Sequence, residues 1–384
     1  MELSSRRTVE LFAGIGGFRL AADSCLLETV WANDNCSKAC EVYRSHFGSS
    51  ELEEGDIRAL TLRVPEHDIL TAGFPCQPFS SAGKKRGLRD PRGTLFAMII
   101  QVLARTGPEH FVLENVKRLL SMERGSHFAT ILTELTSLGY EVEWRLLNAM
   151  DFGIPQNRQR VAIVGRRSSG SIDPPSALLA RREELRELSE HDLALLWDRR
   201  WWPGITAHGS RFPRWGIASG SSFFGADLGV FCDAIEPPAL HAVLEEHVDK
   251  RFDFTEETLH RIGRSTEVGT FVQGVEILYN QNGGARMGYT VFGIDGVAPT
   301  LTATASRHYE RYKIGDGYRR LTNVEYARLQ GFPDDYCAAV PAFEQYPLFG
   351  NALPPVMGKW MIERVLTPPS TSQLPTASQL TIAV

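Results

Sequence analysis

Cysteine is scarce, with six residues in 384: Cys25, Cys36, Cys40, Cys76, Cys232 and Cys337. Cys36 and Cys40 stand close together but have no second pair, so a structural zinc site is not expected and no metal is assigned. Long apolar runs are also missing. Even 95–104 falls short of the roughly 18 residues of a membrane span and is interrupted by Gln101. Arg6-Arg7 is followed by Glu10 and glycines where a signal peptide would place its apolar core, so the chain reads as cytoplasmic, without a membrane partner. General basicity is absent too: net charge is −5 and the pI near 6.1, whereas nucleic-acid-binding domains often exceed a pI of about 9. Any polyanion site must therefore be local. A 43% hydrophobic and 23% charged composition excludes disorder, collagen and coiled coil as global descriptions. The length suits about two domains.

Up to residue 166, short β-rich runs alternate with amphipathic stretches. Strands are expected at 8–12, 28–32, 68–72, 110–113, 141–147 and 161–164, and helices at 18–23, 37–46, 94–105 and 127–138. The alternation predicts an α/β fold with a doubly wound, mostly parallel sheet whose ligands bind beyond the carboxyl ends of the strands. After Arg166 the pattern changes. Residues 175–199 read as one charged helix, and 201–231 is rich in Gly, Ser and aromatics without a period. Helical signals return at 239–250 and 256–264, β signals at 270–302, and helical signals again at 323–330 and 354–365. The expected division is 1–166 as a catalytic and cofactor-binding domain and 167–319 as a smaller irregular domain with an insertion at about 175–235. Residues 320–366 then return to the first domain, and 367–384 form a Ser/Thr/Pro/Gln-rich disordered tail.

The first strand runs into Phe12-Ala13-Gly14-Ile15-Gly16-Gly17, a tight turn that lets backbone approach a nucleotide-like ligand. Arg19 occupies the position of the third glycine of the dinucleotide fingerprint, which argues against a nicotinamide enzyme. Asp34 closes the second strand about 20 residues on, where a carboxylate can take a ribose hydroxyl. Asp56 follows in Gly55-Asp56-Ile57. Alone, each acid reads as a helix cap or turn residue; together with the loop they suggest an adenosine-containing ligand.

The fourth strand leads to Gly73-Phe74-Pro75-Cys76-Gln77-Pro78. A thiol at the carboxyl end of a central strand, in a Pro-stiffened loop, is where a nucleophile would be fixed and exposed. The fifth strand ends at Glu114-Asn115-Val116, and Gln156-Asn157-Arg158-Gln159-Arg160 precedes the last. Strand ends thus supply a thiol, a carboxyl and two guanidinium groups.

With these blocks the chain resembles the bacterial and phage type of DNA (cytosine-5) methyltransferase. Matching segments continue through Asp90–Phe96, Pro299-Thr300-Leu301-Thr302, Gly331-Phe332-Pro333 and Phe349-Gly350-Asn351-Ala352. The resemblance implies S-adenosylmethionine as methyl donor. Its cofactor positions fall on Phe12, Gly14, Gly16, Gly17, Asp34, Asp56, Ile57, Pro75, Asn351 and Ala352, and its catalytic positions on Cys76, Glu114, Arg158 and Arg160. It further implies attack of Cys76 on carbon 6 of a flipped-out cytosine, with Glu114 at the exocyclic amine and ring nitrogen 3, Arg160 at the base carbonyl and Arg158 in support. A transfer-RNA cytosine methyltransferase would share this chemistry, but such relatives usually carry Pro-Pro-Cys-Gln and a shorter middle segment.

Duplex DNA is the expected partner, with a monomer as the default and a cognate restriction endonuclease, or a solitary regulatory role, as the setting. Between Gly83 and Gly93, Lys84, Lys85, Arg86, Arg89 and Arg92 face one acid, Asp90, which suits a loop closing over phosphates. Within 281–320 there are six basic and three acidic residues, making Arg286 a candidate base contact, with Thr300 and Thr302 orienting the domain or touching phosphate.

Overall fold

The computed structural model describes residues 6–75, 95–168, 178–229, 231–280, 289–302 and 310–367. Cys76, the Lys84, Lys85, Arg86, Arg89 and Arg92 cluster, Arg286 and the tail from 368 lie outside them. A nine-stranded sheet organises the first part of the chain. Its strands are β1 (Arg7–Leu11), β2 (Glu28–Asp34), β3 (Leu52–Glu54), β4 (Ile69–Gly73), β5 (His110–Val116), β6 (Tyr140–Asn148), β8 (Gln159–Arg167), β9 (Trp215–Ser219) and β10 (Ser222–Ala226). The two-residue β7 (Gln156–Asn157) stands apart from this sheet. Spatial order is β10-β9-β6-β8-β5-β4-β1-β2-β3. Pairing is parallel from β3 to β5, while β8 runs against both β5 and β6, and β9 runs against β6 and β10. Only β8 and β9 oppose the common direction, as a mostly parallel sheet requires.

Alternate strand residues face two helical layers. Leu70, Phe111 and Leu113 join one core with α4 (Leu95–Thr106) and α5 (Ser126–Ser137), whereas Ile69, Val112 and Val164 join another with α1 (Gly17–Ser24) and α11 (Pro355–Leu366). Ile99, Leu132 and Met361 are fully buried, worth about 1.5–3 kcal/mol each. Beside the sheet, α2 (Ser37–Phe47) and α3 (Ile57–Leu60) follow β2 and β3.

The middle of the chain divides differently from expectation. The stretch read as one helix over 175–199 forms, in its described part, two short helices, α6 (Arg182–Leu185) and α7 (Glu190–Trp197), because Ser189 caps the second through Asp192 N. The aperiodic stretch that follows supplies β9 and β10, turned at Gly220, and β9 pairs along β6. The described residues from 178 to 229 therefore extend the first sheet instead of interrupting the second domain. Helix is also absent over 239–250, where two single 3-10 turns stand at Leu240–Val243 and Lys250–Phe252. After α8 (Glu256–Ile262), β11 (Thr266–Val272), β12 (Val275–Asn280), β13 (Thr290–Phe292), β15 (Arg311–Ile314) and β16 (Gly317–Arg319) build a separate five-stranded sheet. β14 (Ala298–Pro299) instead leaves to pair with β7. The chain returns through α9 (Asn323–Leu329), α10 (Ala342–Asn351) and α11.

Candidate active site

A cleft of about 500 Å³ opens at the carboxyl ends of β1, β2, β4 and β5, a size suited to a nucleotide-like ligand. The β1–α1 turn forms its floor. Phe12 and Gly14 both have φ of +55°, and a side chain on Gly14 would meet no atom within 4 Å, so that position faces open space. Gly17 is required by contact: a Cβ there would lie 2.4 Å from the carbonyl oxygen of Leu353. Gly16 caps α1 with φ of +89° and does not line the cleft.

Asp34 is held rigidly. Its carboxylate accepts from Gly14 N and Cys36 N, each at 2.8 Å, which aims it into the cleft. Burial pushes its pKa above the ordinary value, against these amides. Asn33 fixes the neighbouring wall by donating to the carbonyls of Glu53 and Gly55 at 2.8 and 2.9 Å. Asp56 caps α3 by accepting from Arg58 N at 2.9 Å, and this partner lowers its pKa. Ile57, Pro75, Asn351 and Ala352 complete the lining.

At the far end, β4 and β5 pair so that Gly73 stands beside Glu114. Asn115 donates to the carbonyl of Phe74 at 2.9 Å, fixing the chain two residues before Cys76. Arg160, on β8, donates through Nε to Glu114 Oε1 at 2.7 Å, and both side chains are about one-tenth exposed. The site thus unites Glu114, Arg160 and the approach to Cys76 with the cleft.

Arg158 differs from its expected place. It is fully buried, does not line the cleft, and donates through Nη2 to the carbonyls of Gly350 and Ala352 at 2.9 and 2.8 Å. Burial and the like charge of Arg160 push its pKa well below the usual guanidinium range. Thr300 donates to Asn157 O at 2.6 Å and Thr302 to Glu310 Oε1 at 3.4 Å, so both hydroxyls serve contacts within the protein.

Glu10 was not expected here. It is buried, lines the cleft, and has its pKa pushed up to about 8 by burial, against the nearby Arg19 and Tyr43. A glutamate inside an otherwise apolar strand, Thr8-Val9-Glu10-Leu11-Phe12, was the available signal.

Among the described residues no cluster of His, Cys, Asp and Glu could hold a metal ion, and no helix is long and apolar enough to cross a membrane. The cleft fits an adenosyl ligand: a fixed carboxylate beside glycine backbone, apolar Phe12 and Ile57 on the walls, and open volume above Gly14.

Known proteins place the chain in a family. The type II methyltransferase M.NgoBI of Neisseria gonorrhoeae is 32% identical over 348 residues, covering 90% of this chain and 89% of the relative. M.HhaI of Haemophilus parahaemolyticus is 30% identical over 362 residues, covering 92% and 91%. In fold, the chain is similar to the Dnmt2 methyltransferase of S. pombe, with a TM-score of 0.60 at 19% identity over 94% of this chain and 98% of that one. The family model described as C-5 cytosine-specific DNA methylase matches residues 6–367, and the chain belongs to that family.

Proposed function

We propose that the chain transfers a methyl group from S-adenosylmethionine to carbon 5 of a cytosine flipped out of a short, specific duplex sequence, through a covalent adduct of Cys76 at carbon 6. The observation that carries this reading is the Glu114–Arg160 pair, at the end of the cleft where the chain leads from Pro75 into Cys76. Bound S-adenosylmethionine supplies an electrophilic methyl group. Asp34 takes the ribose; Asp56, Ile57 and Phe12 flank the adenine; Gly14, Gly17, Pro75, Asn351 and Ala352 surround the rest, with Gly16 shaping the turn behind them.

Carbon 5 of cytosine is a weak nucleophile and must be activated. The Cys76 thiolate adds to carbon 6, and the displaced electron pair moves toward carbon 5 and ring nitrogen 3. Glu114 bonds the exocyclic amine and donates a proton to nitrogen 3, while Arg160 holds both Glu114 and the base carbonyl. Once carbon 5 has taken the methyl group and S-adenosylhomocysteine is left, loss of the carbon 5 proton, departure of the thiolate and return of the nitrogen 3 proton to Glu114 restore the double bond between carbons 5 and 6. A stacked base is out of reach, so flipping costs a few kcal/mol, offset by phosphate contacts from the 83–93 segment. Arg286 is assigned to a base contact, and Thr300 and Thr302 orient the second domain. The type II names of the relatives support an endonuclease acting on the same site.

The test is base-resolution methylation sequencing of DNA from a methylation-free bacterial host that expresses the chain, beside a Cys76→Ala control. Methyl marks at carbon 5 within one short motif, absent from the control, are expected. Unmarked DNA despite folded protein that binds S-adenosylmethionine would overturn the DNA assignment, with RNA from the same cells sequenced next.

A further inference from the structure

The 178–229 segment has no place in the chemistry above, yet it packs onto the segment that follows the catalytic strand. Phe212 is fully buried between Phe128 and Trp144, and its amide donates to Leu120 O at 2.9 Å. Gly125 lies so close to the Ser210 carbonyl oxygen that a Cβ would stand 2.1 Å from it. Just before it, Glu123 and Arg124 both take left-handed conformations, with φ of +48° and +53°, unusual for consecutive non-glycine residues. That turn leaves Arg124 exposed.

The charge of the two segments is opposite in sign to that of the chain. Residues 116–125 and 208–214 carry Lys117, Arg118, Arg124, Arg211 and Arg214, all exposed, against one acid, Glu123. Arg211 is paired with Asp227. Lys117, Arg118 and Arg124 have no carboxylate partner among the described residues, and Lys117 Nζ instead donates to Gln159 Oε1 at 2.6 Å.

Strand register places Lys117 and Arg214, while the Phe212–Leu120 bond and the Gly125–Ser210 approach hold the turns that carry Arg118 and Arg124 against 208–214. Val116 pairs with Arg160 on β8, Asn148 of β6 with Gln159, and Arg145 of β6 with Trp215 of β9. Lys117, Gln159 and Arg214 therefore share the edge of the sheet that holds the Glu114–Arg160 pair. With strands about 4.8 Å apart, the row spans about 15 Å. At a rise of about 3.4 Å per phosphate along the helix axis, a row of that length laid parallel to the axis passes about four phosphates of one strand.

We infer that Arg118, Arg124 and Arg214 form a ledge that binds the DNA backbone beside the target base, and that the 178–229 segment builds and braces it. The inference rests on the proposed action on duplex DNA and adds a surface separate from the 83–93 segment.

The experiment uses the full chain and plasmid DNA from a methylation-free host, with methyl transfer followed at increasing salt. Replacing Arg118, Arg124 and Arg214 together by Gln should raise the KM for DNA at least tenfold. It should also reduce the slope of log affinity against log salt by about 2–3, at roughly 0.9 per phosphate contact. Lysine at the same three positions should restore both, because a phosphate contact needs charge rather than shape. Arg186→Gln, an exposed cation off the ledge, should change neither. A triple Gln variant indistinguishable from the Arg186→Gln control, or a Lys variant that fails to rescue, overturns the ledge alone. Absence of transfer to plasmid DNA by the unaltered chain overturns the DNA reading with it.

Discussion

Arg160 Nε and Glu114 Oε1 are 2.7 Å apart across neighbouring strands, with both side chains about one-tenth exposed. Burial pulls the Arg160 pKa down and Glu114 holds it up. Glu114 is therefore the charge that compensates Arg160. Glu114→Gln keeps a hydrogen-bond acceptor but loses the exchangeable proton, so methyl transfer should fall by about a hundredfold or more with the fold retained. Glu114→Gln removes the counter-charge of buried Arg160 but keeps an acceptor, whereas Glu114→Ala removes both and should cost about 3–5 kcal/mol, more than Gln. Steady-state rates and thermal melts separate the two effects. Equal melting of both variants would contradict the pairing argument.

Arg158 should act on the donor rather than on the base. Its two bonds hold the carbonyls on either side of Asn351. Arg158→Leu should raise the KM for S-adenosylmethionine about tenfold, in keeping with two hydrogen bonds of about 0.5–1.5 kcal/mol each. The KM for DNA should stay within twofold. A change confined to DNA would reassign Arg158 to the base side.

Asp34 offers a direct check of the cleft. Asp34→Ala removes the acceptor of Gly14 N and Cys36 N as well as the proposed ribose partner. Calorimetric titration with S-adenosylhomocysteine should show affinity lower by ten- to a hundredfold, about 1.5–3 kcal/mol for hydrogen bonds to a charged group. Unchanged affinity would place the ribose elsewhere.

Glu10 links stability to pH. Its ordinary pKa of 4.5 rises to about 8 in the folded protein, so over that window the native state holds a proton that the unfolded chain releases. The stabilisation is complete below about 4.5 and is lost as pH rises through 8. Glu143, buried and pushed up to about 7, adds a loss of the same sign. The melting temperature should fall between pH 5 and 8, and Glu10→Gln, which stays neutral, should flatten the decline. An unaltered slope in that variant would remove Glu10 from the linkage.

Most of the first sheet was legible because its strands are compact β-branched runs separated by amphipathic helices. β3 escaped notice: three residues, Leu52-Glu53-Glu54, carry no alternation to read. α10 was hidden by Pro347, which stands inside a helix that proline usually breaks. β9 and β10 were masked by Gly216 and Gly225 among aromatics, although Ser219-Gly220-Ser221 is a hairpin turn signal. At the site, strand-end positions and the family resemblance pointed to Glu114, Arg160 and Asp34, and all three line the cleft. The burial of Arg158 and Glu10 depends on residues more than 190 positions away in one case, and on α1 and α2 packing over β1 in the other. Local patterns do not carry that information.

The cleft draws on residues 10–17, 33–36, 55–57, 73–75 and 114–116, and then waits for 348–353 to close it, with Leu353 seated against Gly17. On a ribosome adding about 5–20 residues per second, roughly 12–50 s separate synthesis of the first five segments from arrival of the last. Throughout that interval the nascent chain has the glycine turn and the Glu114 strand end but an unfinished cleft. Arrival of 348–353, rather than early folding of the amino-terminal half, is the event that completes the cleft.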